Sequence, residues 1–303
     1  MRIVVTGATG FLGTKLCHRL VRDRHEVTAF TRDASRSRDD LHPKVTVISW
    51  AEGAPRWEQL VDGADALVNL AGEPIAQRWT ARSKERILRS RVAATERLHG
   101  PVERAATRPK VLVNASAIGY YGPHDDEELT EESRPGTDFL AAVCVKWEEA
   151  ARRFEPLGLR VVRLRTGVVL SPDGGALPQL LLPFKMHSGG PVGTGRQWVS
   201  WIHVDDLVEI LVLALENAAA SGAINGTAPN PVRNADLAAE LGRVMNRRLW
   251  FPGSAAAAVA KAKLGDGATI VLDGQRVLPK RAEALGYKFG YSHLRAALEH
   301  LLG

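Results

Sequence analysis

The chain has 303 residues, 45% of them hydrophobic, which is enough to bury a large core and predicts an α/β domain followed by a smaller region. Its 40 Lys and Arg residues exceed the 34 Asp and Glu residues, and the resulting net charge of +6 is spread along the sequence. A dispersed excess of this kind attracts anionic ligands but lacks the dense basic patch of a nucleic-acid-binding protein.

The cysteines and the N-terminus bear on the cellular compartment. Cys17 and Cys144 cannot form a disulfide framework, and no Cys-x-x-Cys metal spacing occurs. Met1 leads directly into a β-branched run without a signal-peptide apolar region, and the apolar stretch at 207–215 is too short to span a bilayer. We therefore expect a cytoplasmic protein with no nucleic-acid or membrane partner.

The strongest motif opens the chain. Residues 2–6 predict a buried strand, Gly7, Gly10 and Gly13 follow at three-residue spacing, and helical spacing of apolar residues begins at Phe11. A strand, a glycine turn and a helix start form a dinucleotide phosphate cradle, because the N–H groups of the helix N-terminus then face the phosphates. The cofactor-binding candidates in this motif are Thr6, Gly7, Gly10, Phe11, Leu12 and Gly13. The alternative is a plain strand–turn–helix.

The second predicted strand, residues 26–31, bears on the choice of cofactor. NAD selectivity usually depends on an acidic residue at the end of this strand, and here the strand ends at Thr31 followed by Arg32. Arg32, with Arg36 and Arg38 close behind, suits a 2′-phosphate, which an Asp would repel. We therefore expect NADP(H) in preference to NAD(H), which stays possible; the alternative is that these arginines belong to a solvated loop.

The third and fourth predicted strands are residues 45–50 and 66–71. The fourth runs into Leu70, Ala71 and Gly72, small or apolar residues that would let the adenine and ribose side of a cofactor pack against the strand end. These three are further cofactor-binding candidates; a buried strand followed by a plain turn is the alternative.

Alternation of strands and helices continues to residue 167. The predicted elements are a helix at 83–106, a strand at 110–115, a helix at 138–154 and a strand at 160–165. This pattern predicts a doubly wound parallel Rossmann sheet within an α/β fold. Residues 1–167 would form the dinucleotide-binding domain and residues 168–303 a smaller substrate-side α/β region, with segments near 198–228 returning to the main sheet.

Several stretches resemble the extended type of the short-chain dehydrogenase/reductase superfamily, in which many members are nucleotide-sugar epimerases. They are the Gly7–Gly13 turn, residues 69–72, Ser116 ahead of a Tyr-Gly pair, and residues 201–206. Longer motifs resemble an atypical subfamily of NAD(P)-dependent epimerases that also carries a SulA-like cell-division-inhibitor label. Those motifs are residues 115–122, 147–149, 165–170, 183–184, 189–198 and 200–203, with residues 273–281 resembling the small C-terminal domain of that subfamily.

One part of the superfamily's pattern is absent. Its reaction uses a Tyr and, four residues later on the same helix, a Lys that lowers the pKa of the Tyr hydroxyl so that it exchanges a proton with the substrate. Aligning the helix on Glu148 places Leu140 and Cys144 at these positions, and Lys146 lies two residues away. The resemblance thus implies a bound nicotinamide cofactor, but it does not carry over this proton transfer.

The remaining catalytic candidates are Ser116, Tyr120 and Tyr121. Ser116 lies at the end of the fifth strand, and in the resembled enzymes this serine hydrogen-bonds the reacting oxygen; the alternative is a polar strand cap. Either tyrosine could supply the missing acid, and packing in the core is an equal alternative for each. Cys144 is expected to be a small buried hydrophobe.

Candidate substrate contacts surround the same crevice. Glu73 follows the fourth strand and could bind a hydroxyl or act as a base, or it could be solvated. Lys185 and Arg196 flank a glycine-rich insertion that would suit an anionic substrate, with a structural loop as the alternative. His203 is expected to line the site wall, with Asp205 as the N-cap of the next helix. We expect no metal, because no second ligand has suitable spacing.

Two functions follow from these observations. One is an NADP(H)-dependent oxidoreductase or epimerase that acts on a carbonyl or hydroxyl carbon of a small substrate, anionic or a nucleotide sugar. The other is a non-catalytic NADP(H)-binding sensor or regulator, which would keep the cradle and lose the Tyr and Lys. A homodimer is expected only by analogy with extended members.

Overall fold

Strands and helices alternate along the chain, as predicted. The computed structural model describes residues 1–38, 40–50 and 57–303. The strands are β1 (Arg2–Thr6), β2 (Glu26–Thr31), β3 (Thr46–Ser49), β4 (Ala66–Asn69), β5 (Val111–Ala117), β6 (Glu128–Leu129), β7 (Arg160–Thr166), β8 (Val168–Ser171), β9 (Gly174–Gly175), β10 (Trp198–Val199), β11 (Trp201–His203), β12 (Gly222–Gly226), β13 (Val232–Arg233) and β14 (Arg276–Val277).

The helices differ widely in length, and no described helix combines the length and apolar character needed to cross a bilayer. They are α1 (Phe11–Arg22), α2 (Ala34–Ser37), α3 (Ala81–Arg104), α4 (Phe139–Arg152), α5 (Leu177–Lys185), α6 (Val204–Glu216), α7 (Asn234–Val244), α8 (Gly253–Leu264), α9 (Thr269–Leu272), α10 (Lys280–Ala284) and α11 (Leu294–Leu302). Short 3-10 helices occupy Glu58–Leu60, Ile118–Tyr121, Glu155–Leu157 and Asp266–Ala268.

Seven parallel strands form the central sheet in the order β12-β7-β5-β4-β1-β2-β3. The chain reverses its direction of winding between β1 and β4, and ligands of open α/β sheets bind beyond the carboxyl ends of the strands at such a switch point. Helices cover both faces, which explains why the strands are near-continuous apolar runs. The predicted doubly wound Rossmann sheet is confirmed.

Two helical layers enclose this sheet. On one face, α1 and α6 contribute Leu16 and Leu207 to a shared core. On the other face, α3 and α4 contribute Leu98 and Ala151 to a second core that also holds Phe154. Helix α3 begins at Ala81, two residues before the predicted start at 83. The reason is a capping box, in which the side chains of Thr80 and Ser83 each accept a hydrogen bond from the backbone N–H of the other residue.

The solvent-facing sides of α3 and α4 are charged. Their exposed residues include Arg82, Glu85, Arg86, Arg89, Glu96, Lys146, Glu149 and Arg152. A homodimer formed through these helices, as expected by analogy, would therefore not have an apolar interface.

The C-terminal half builds a smaller unit on the sheet. β8, β9 and β11 form a three-stranded sheet, and β10 pairs with β13. Helices α5, α7 and α11 pack around this unit through residues such as Phe184, Leu241 and Leu298. Of the segment near 198–228, β12 joins the central sheet beside β7, whereas β11 pairs with β8.

His203 closes β11 and caps α6. Its Nδ1 accepts a hydrogen bond from the backbone N–H of Asp205 at 3.0 Å, so the N-cap is His203 and the expectation for Asp205 was wrong. The proton therefore lies on Nε2, which is 3.2 Å from Nδ1 of His300. The fold brings ligand atoms of His203, Asp205 and His300 within 4.8 Å of one another, and both ring nitrogens of His203 are already in hydrogen-bond contact with a neighbour. The ring stacks on Tyr291 at 3.9 Å between centroids.

His203 makes stability depend on pH. Burial lowers the pKa of its imidazole below the ordinary 6.5, so the unfolded chain binds a proton that the folded chain resists, and stability is lost as pH falls. We expect the free energy of unfolding to drop between about pH 8 and pH 5. His203→Asn, which keeps a cap acceptor, should flatten this dependence in chemical denaturation, whereas exposed His293→Asn should not. An equal pH dependence in both variants would contradict the assignment.

Candidate functional site

The glycine turn after β1 has no room for side chains. Gly7 has a φ of +68°, and a Cβ there would lie 2.6 Å from the carbonyl carbon of Leu70. A Cβ on Gly13 would lie 2.2 Å from the carbonyl oxygen of Gly7. The turn therefore holds α1, β1 and the end of β4 in backbone contact. Gly10 is the N-cap of α1 and offers no capping side chain, so the N–H groups of the first helical turn are left for an anion.

A crevice of about 460 Å³ opens at this point, at the carboxyl ends of the strands. Its lining residues are Gly7, Thr9, Gly10, Phe30, Thr31, Arg32, Trp50, Leu70, Ala71, Gly72, Glu73, Ser90, Ala93, Ala94 and Arg97. The structure thus brings together the candidates Gly7, Gly10, Arg32, Glu73 and the segment 70–72, which come from the ends of three different strands.

The four other candidates of the glycine motif lie around the turn and outside the crevice. Thr6 is buried, and its hydroxyl donates to Asn69 Oδ1 at 2.6 Å. Phe11 faces the β8–β9 hairpin, because a Cβ on Gly174 would lie 2.5 Å from its ring. Leu12 packs against the core beneath the sheet, and Gly13 allows α1 to approach the turn. None of these four residues lines the crevice.

Arg97 is a crevice residue that the sequence analysis missed. Its guanidinium lies over the rings of Trp50 and Trp57, at 5.3 and 5.0 Å from their centroids. With Arg32 it gives the crevice a second cation beside the end of β2. A sequence pattern that could have identified Arg97 is the helical spacing of Ser90, Ala93, Ala94 and Arg97, which places these residues on one face of α3. The side chain of Arg36 lies outside the described part of the structure.

The end of β5 is occupied by a buried polar network that changes the interpretation of Ser116. The Ser116 hydroxyl donates to Glu148 Oε1 at 2.8 Å, and both residues are buried. Arg165 donates two hydrogen bonds to the same carboxylate, from Nε at 2.8 Å and from Nη2 at 3.0 Å. Ser116 is thus bonded to Glu148 and does not line the crevice, and its expected bond to a reacting oxygen stays a prediction.

The two adjacent tyrosines have different environments. Tyr121 is fully buried; its hydroxyl donates to Asn225 at 2.7 Å and accepts from Arg165 at 3.0 Å. Burial raises the pKa of Tyr121 to about 12, and the residue is not among those that line the crevice. The ring of Tyr120 lies under the guanidinium of Arg165, 3.4 Å from its carbon. Within the described residues, the Tyr120 hydroxyl makes no hydrogen bond.

The positions of the missing Tyr and Lys face the loop after β5. A Cβ on Gly119 would lie 3.2 Å from Leu140 Cβ and 3.9 Å from the Cys144 sulfur. Burial raises the pKa of the Cys144 thiol to about 12, which makes it a small hydrophobe, as expected. The nearby cation is Arg91, whose guanidinium lies 5.2 Å from the Trp147 ring and beside Gly72. Burial lowers the pKa of Arg91.

The candidate substrate residues are separated by the fold. Glu73 lines the crevice, with its carboxylate 3.6 Å from Arg86 Nε and its backbone N–H on Ser90 Oγ. Lys185 and Arg196 are exposed on the C-terminal unit. His203 is fully buried in its contacts with Tyr291 and His300, so it does not form a wall of the crevice, and this expectation is corrected.

Comparison with known proteins agrees with this geometry. Residues 3–225 match the NAD dependent epimerase/dehydratase family, and residues 255–301 match a domain of unknown function, DUF1731. An "Epimerase family protein SDR39U1 homolog, chloroplastic" from Arabidopsis thaliana is 43% identical over 308 residues, covering 100% of this chain and 87% of the relative. The "Epimerase family protein YfhF" of Bacillus subtilis is 40% identical, covering 100% of this chain and 98% of the relative.

Solved structures extend the comparison. Human "epimerase family protein SDR39U1 (isoform2)", crystallised with NADPH, superposes with a TM-score of 0.86 at 36% identity and 99% coverage of both chains. UDP-glucuronic acid 4-epimerase from Bacillus cereus superposes with a TM-score of 0.78 at 18% identity, covering 99% of this chain and 98% of that one, and shares the fold. With a family match over most of its length and relatives of this identity, the chain belongs to the NAD dependent epimerase/dehydratase family.

Proposed function

We propose that the protein is an NADP(H)-dependent oxidoreductase or epimerase that acts on a carbonyl or hydroxyl carbon of a small, anionic or nucleotide-sugar substrate. The observation that supports this proposal most is the crevice at the switch point. It is lined both by Gly10, at the N-terminus of α1 that no side chain caps, and by Arg32 and Arg97. A dinucleotide with an extra phosphate has the length and charge distribution to engage both ends of this crevice.

The selectivity for NADP(H) would come from the arginines. Arg32 follows β2 directly, where the adenosine ribose lies in proteins of this fold, and no carboxylate ends that strand. Arg97 approaches from α3, with its guanidinium near the rings of Trp50 and Trp57. Planar guanidinium groups bind a phosphate dianion through charge-assisted hydrogen bonds, and a site with two of them favours the phosphorylated cofactor. A relative at 36% identity was crystallised with NADPH.

The chemistry itself would belong largely to the cofactor, which when bound supplies or accepts a hydride. Among the side chains of the chain, Tyr120 is our candidate for the accompanying proton, because its hydroxyl is uncommitted within the described residues and Arg165 covers its ring. Glu73 lines the crevice beyond Gly72 and would bind a substrate hydroxyl. Lys185 and Arg196 would meet an anionic group only if the substrate reaches the C-terminal unit.

The alternative of a non-catalytic NADP(H)-binding sensor has its own support. Ser116 and Tyr121 are committed to the Glu148–Arg165 network, and Leu140 and Cys144 stand where the superfamily has its Tyr and Lys. A protein that only bound the cofactor would need none of these groups in the crevice.

The first test is cofactor selectivity. Titration with NADPH and NADH, followed by nicotinamide fluorescence, should show tighter binding of NADPH. Arg97→Gln and Arg32→Gln should each weaken NADPH binding by about 10- to 100-fold, the value of a charge-assisted hydrogen bond, and should leave NADH binding nearly unchanged. Arg89→Gln, an exposed arginine of the same helix outside the crevice, is the matched control. Equal affinity for both cofactors would contradict the assignment.

The second test separates the enzyme from the sensor. NADPH oxidation is followed by absorbance with a panel of aldehydes, ketones and keto sugars. For an enzyme, Tyr120→Phe should reduce turnover by about 10²- to 10⁴-fold, the usual contribution of a positioned acid, with NADPH affinity unchanged. Tyr121→Phe should change stability rather than turnover per folded molecule, because its hydroxyl lies in the buried network. Cofactor binding without turnover of any substrate would favour the sensor.

A further inference from the structure

Two segments of the C-terminal half contain no acidic residue. None occurs in residues 174–204, between Asp173 and Asp205, or in residues 241–265, between Glu240 and Asp266. The same segments carry the basic residues Lys185, Arg196, Arg243, Arg247, Arg248, Lys261 and Lys263. Acid-free stretches also occur at residues 1–22, 104–124 and 217–235, so the meaning of these two segments depends on whether they meet in space.

The fold brings the two segments together. The backbone N–H of Trp250 donates to the carbonyl of Gly189 at 3.2 Å, and the Trp250 indole N–H donates to the carbonyl of His187. The backbone N–H of Gly193 donates to the carbonyl of Gly253 at 2.9 Å. The end of α5 and the segment leading into α8 therefore form one continuous surface. We call it the basic apolar face, defined as residues 182–187 and 243–263.

This face also exposes most of the large apolar side chains at the surface. Seven large hydrophobic residues are exposed among the described residues, and five belong here. They are Leu182 (48% exposed), Met186 (68%), Leu249 (42%), Trp250 (66%) and Val259 (60%). Leu182 and Met186 are one helical turn apart and point outward, whereas Leu181 and Phe184 of the same helix are buried. Helix α8, alanine-rich, buries none of its residues.

A shallow cavity of about 370 Å³ lies beside these apolar residues. Its lining includes Arg243, Asn246, Arg247, Arg248 and Leu249. Arg243 is paired with Glu240 at 2.6 Å, whereas Arg247 and Arg248 form no ion pair within the described part of the chain. Unpaired guanidinium groups next to exposed aliphatic and indole side chains offer an anion contact and an apolar contact to the same partner.

We propose that the basic apolar face docks the protein on the surface of a bilayer that contains anionic lipids. Tryptophan prefers the boundary between headgroups and acyl chains, and Met186, Leu182 and Leu249 would enter beside it. Arg247, Arg248 and the lysines of α8 would lie at the level of the phosphates, where the surface potential attracts cations. Aliphatic side chains add nothing to a nucleic-acid contact, which makes lipid the better match.

Docking of this kind is peripheral and differs from the bilayer-spanning helix considered above. None of the described residues that line the cofactor crevice belongs to the basic apolar face. The proposal is therefore independent of the NADP(H) assignment, and failure of either one leaves the other intact.

The test is co-sedimentation of the full chain with vesicles of phosphatidylcholine alone or mixed with phosphatidylglycerol. The protein should sediment with the mixed vesicles, release at high salt, and stay in solution with phosphatidylcholine alone. Arg247→Gln with Arg248→Gln should weaken binding by about 20-fold or more, since each cation near the surface contributes about 5-fold. The matched control is Arg82→Gln with Arg89→Gln, which removes the same charge from exposed positions on α3.

The apolar half of the proposal needs its own readout. Met186→Ser with Trp250→Ser should abolish sedimentation with the mixed vesicles. Leu60→Ser, at an exposed apolar residue outside the basic apolar face, should not. Brominated lipid should quench the fluorescence of the wild type more than that of Trp250→Phe. Absence of binding to the mixed vesicles would overturn the proposal. Equal loss in the α3 control, or full binding by the Met186 and Trp250 variant, would also overturn it, because binding would then reflect net charge or a polyanion site.

Discussion

The buried ion pair between Glu148 and Arg165 organises the end of the sheet where chemistry would occur. It joins α4 to β7, and it holds Ser116 of β5 and Tyr121 of the following 3-10 helix by hydrogen bonds. Such a pair is costly to desolvate, and removal of either partner typically destabilises a fold by about 3–5 kcal/mol. The groups bonded to it are therefore held in place by this pair.

This network links the two halves of the molecule. Tyr121 donates to Asn225 of β12, and Asn225 in turn bonds the carbonyl of Leu278 and, through its backbone N–H, Glu131. The C-terminal segment is thereby tied to the central sheet beneath the site. The positions of the missing Tyr and Lys are taken by Leu140 and Cys144, which lie beside Gly119.

Sequence periodicity and the glycine spacing were enough to predict the sheet, its winding and the cradle around Gly7. These features depend on local sequence: apolar runs, turn residues and helix starts. The polar interior could not be predicted in the same way, because Ser116, Glu148 and Arg165 are brought together only by the packing of three separate elements. Arg97 was missed for a related reason: its role depends on Trp50 and Trp57, which approach α3 from distant parts of the chain.

The distribution of side chains over the surface also depends on the fold, which brings residues 189–193 and 250–253 into backbone contact. The strand ends likewise differ from one another. Arg32 and Arg97 line the crevice beside the end of β2, whereas the end of β5 carries the buried bond between Ser116 and Glu148. Ser116 and Tyr121 are bonded within the Glu148–Arg165 network, whereas Tyr120 contacts it only through its ring, and this difference is why the proposed proton transfer was assigned to Tyr120.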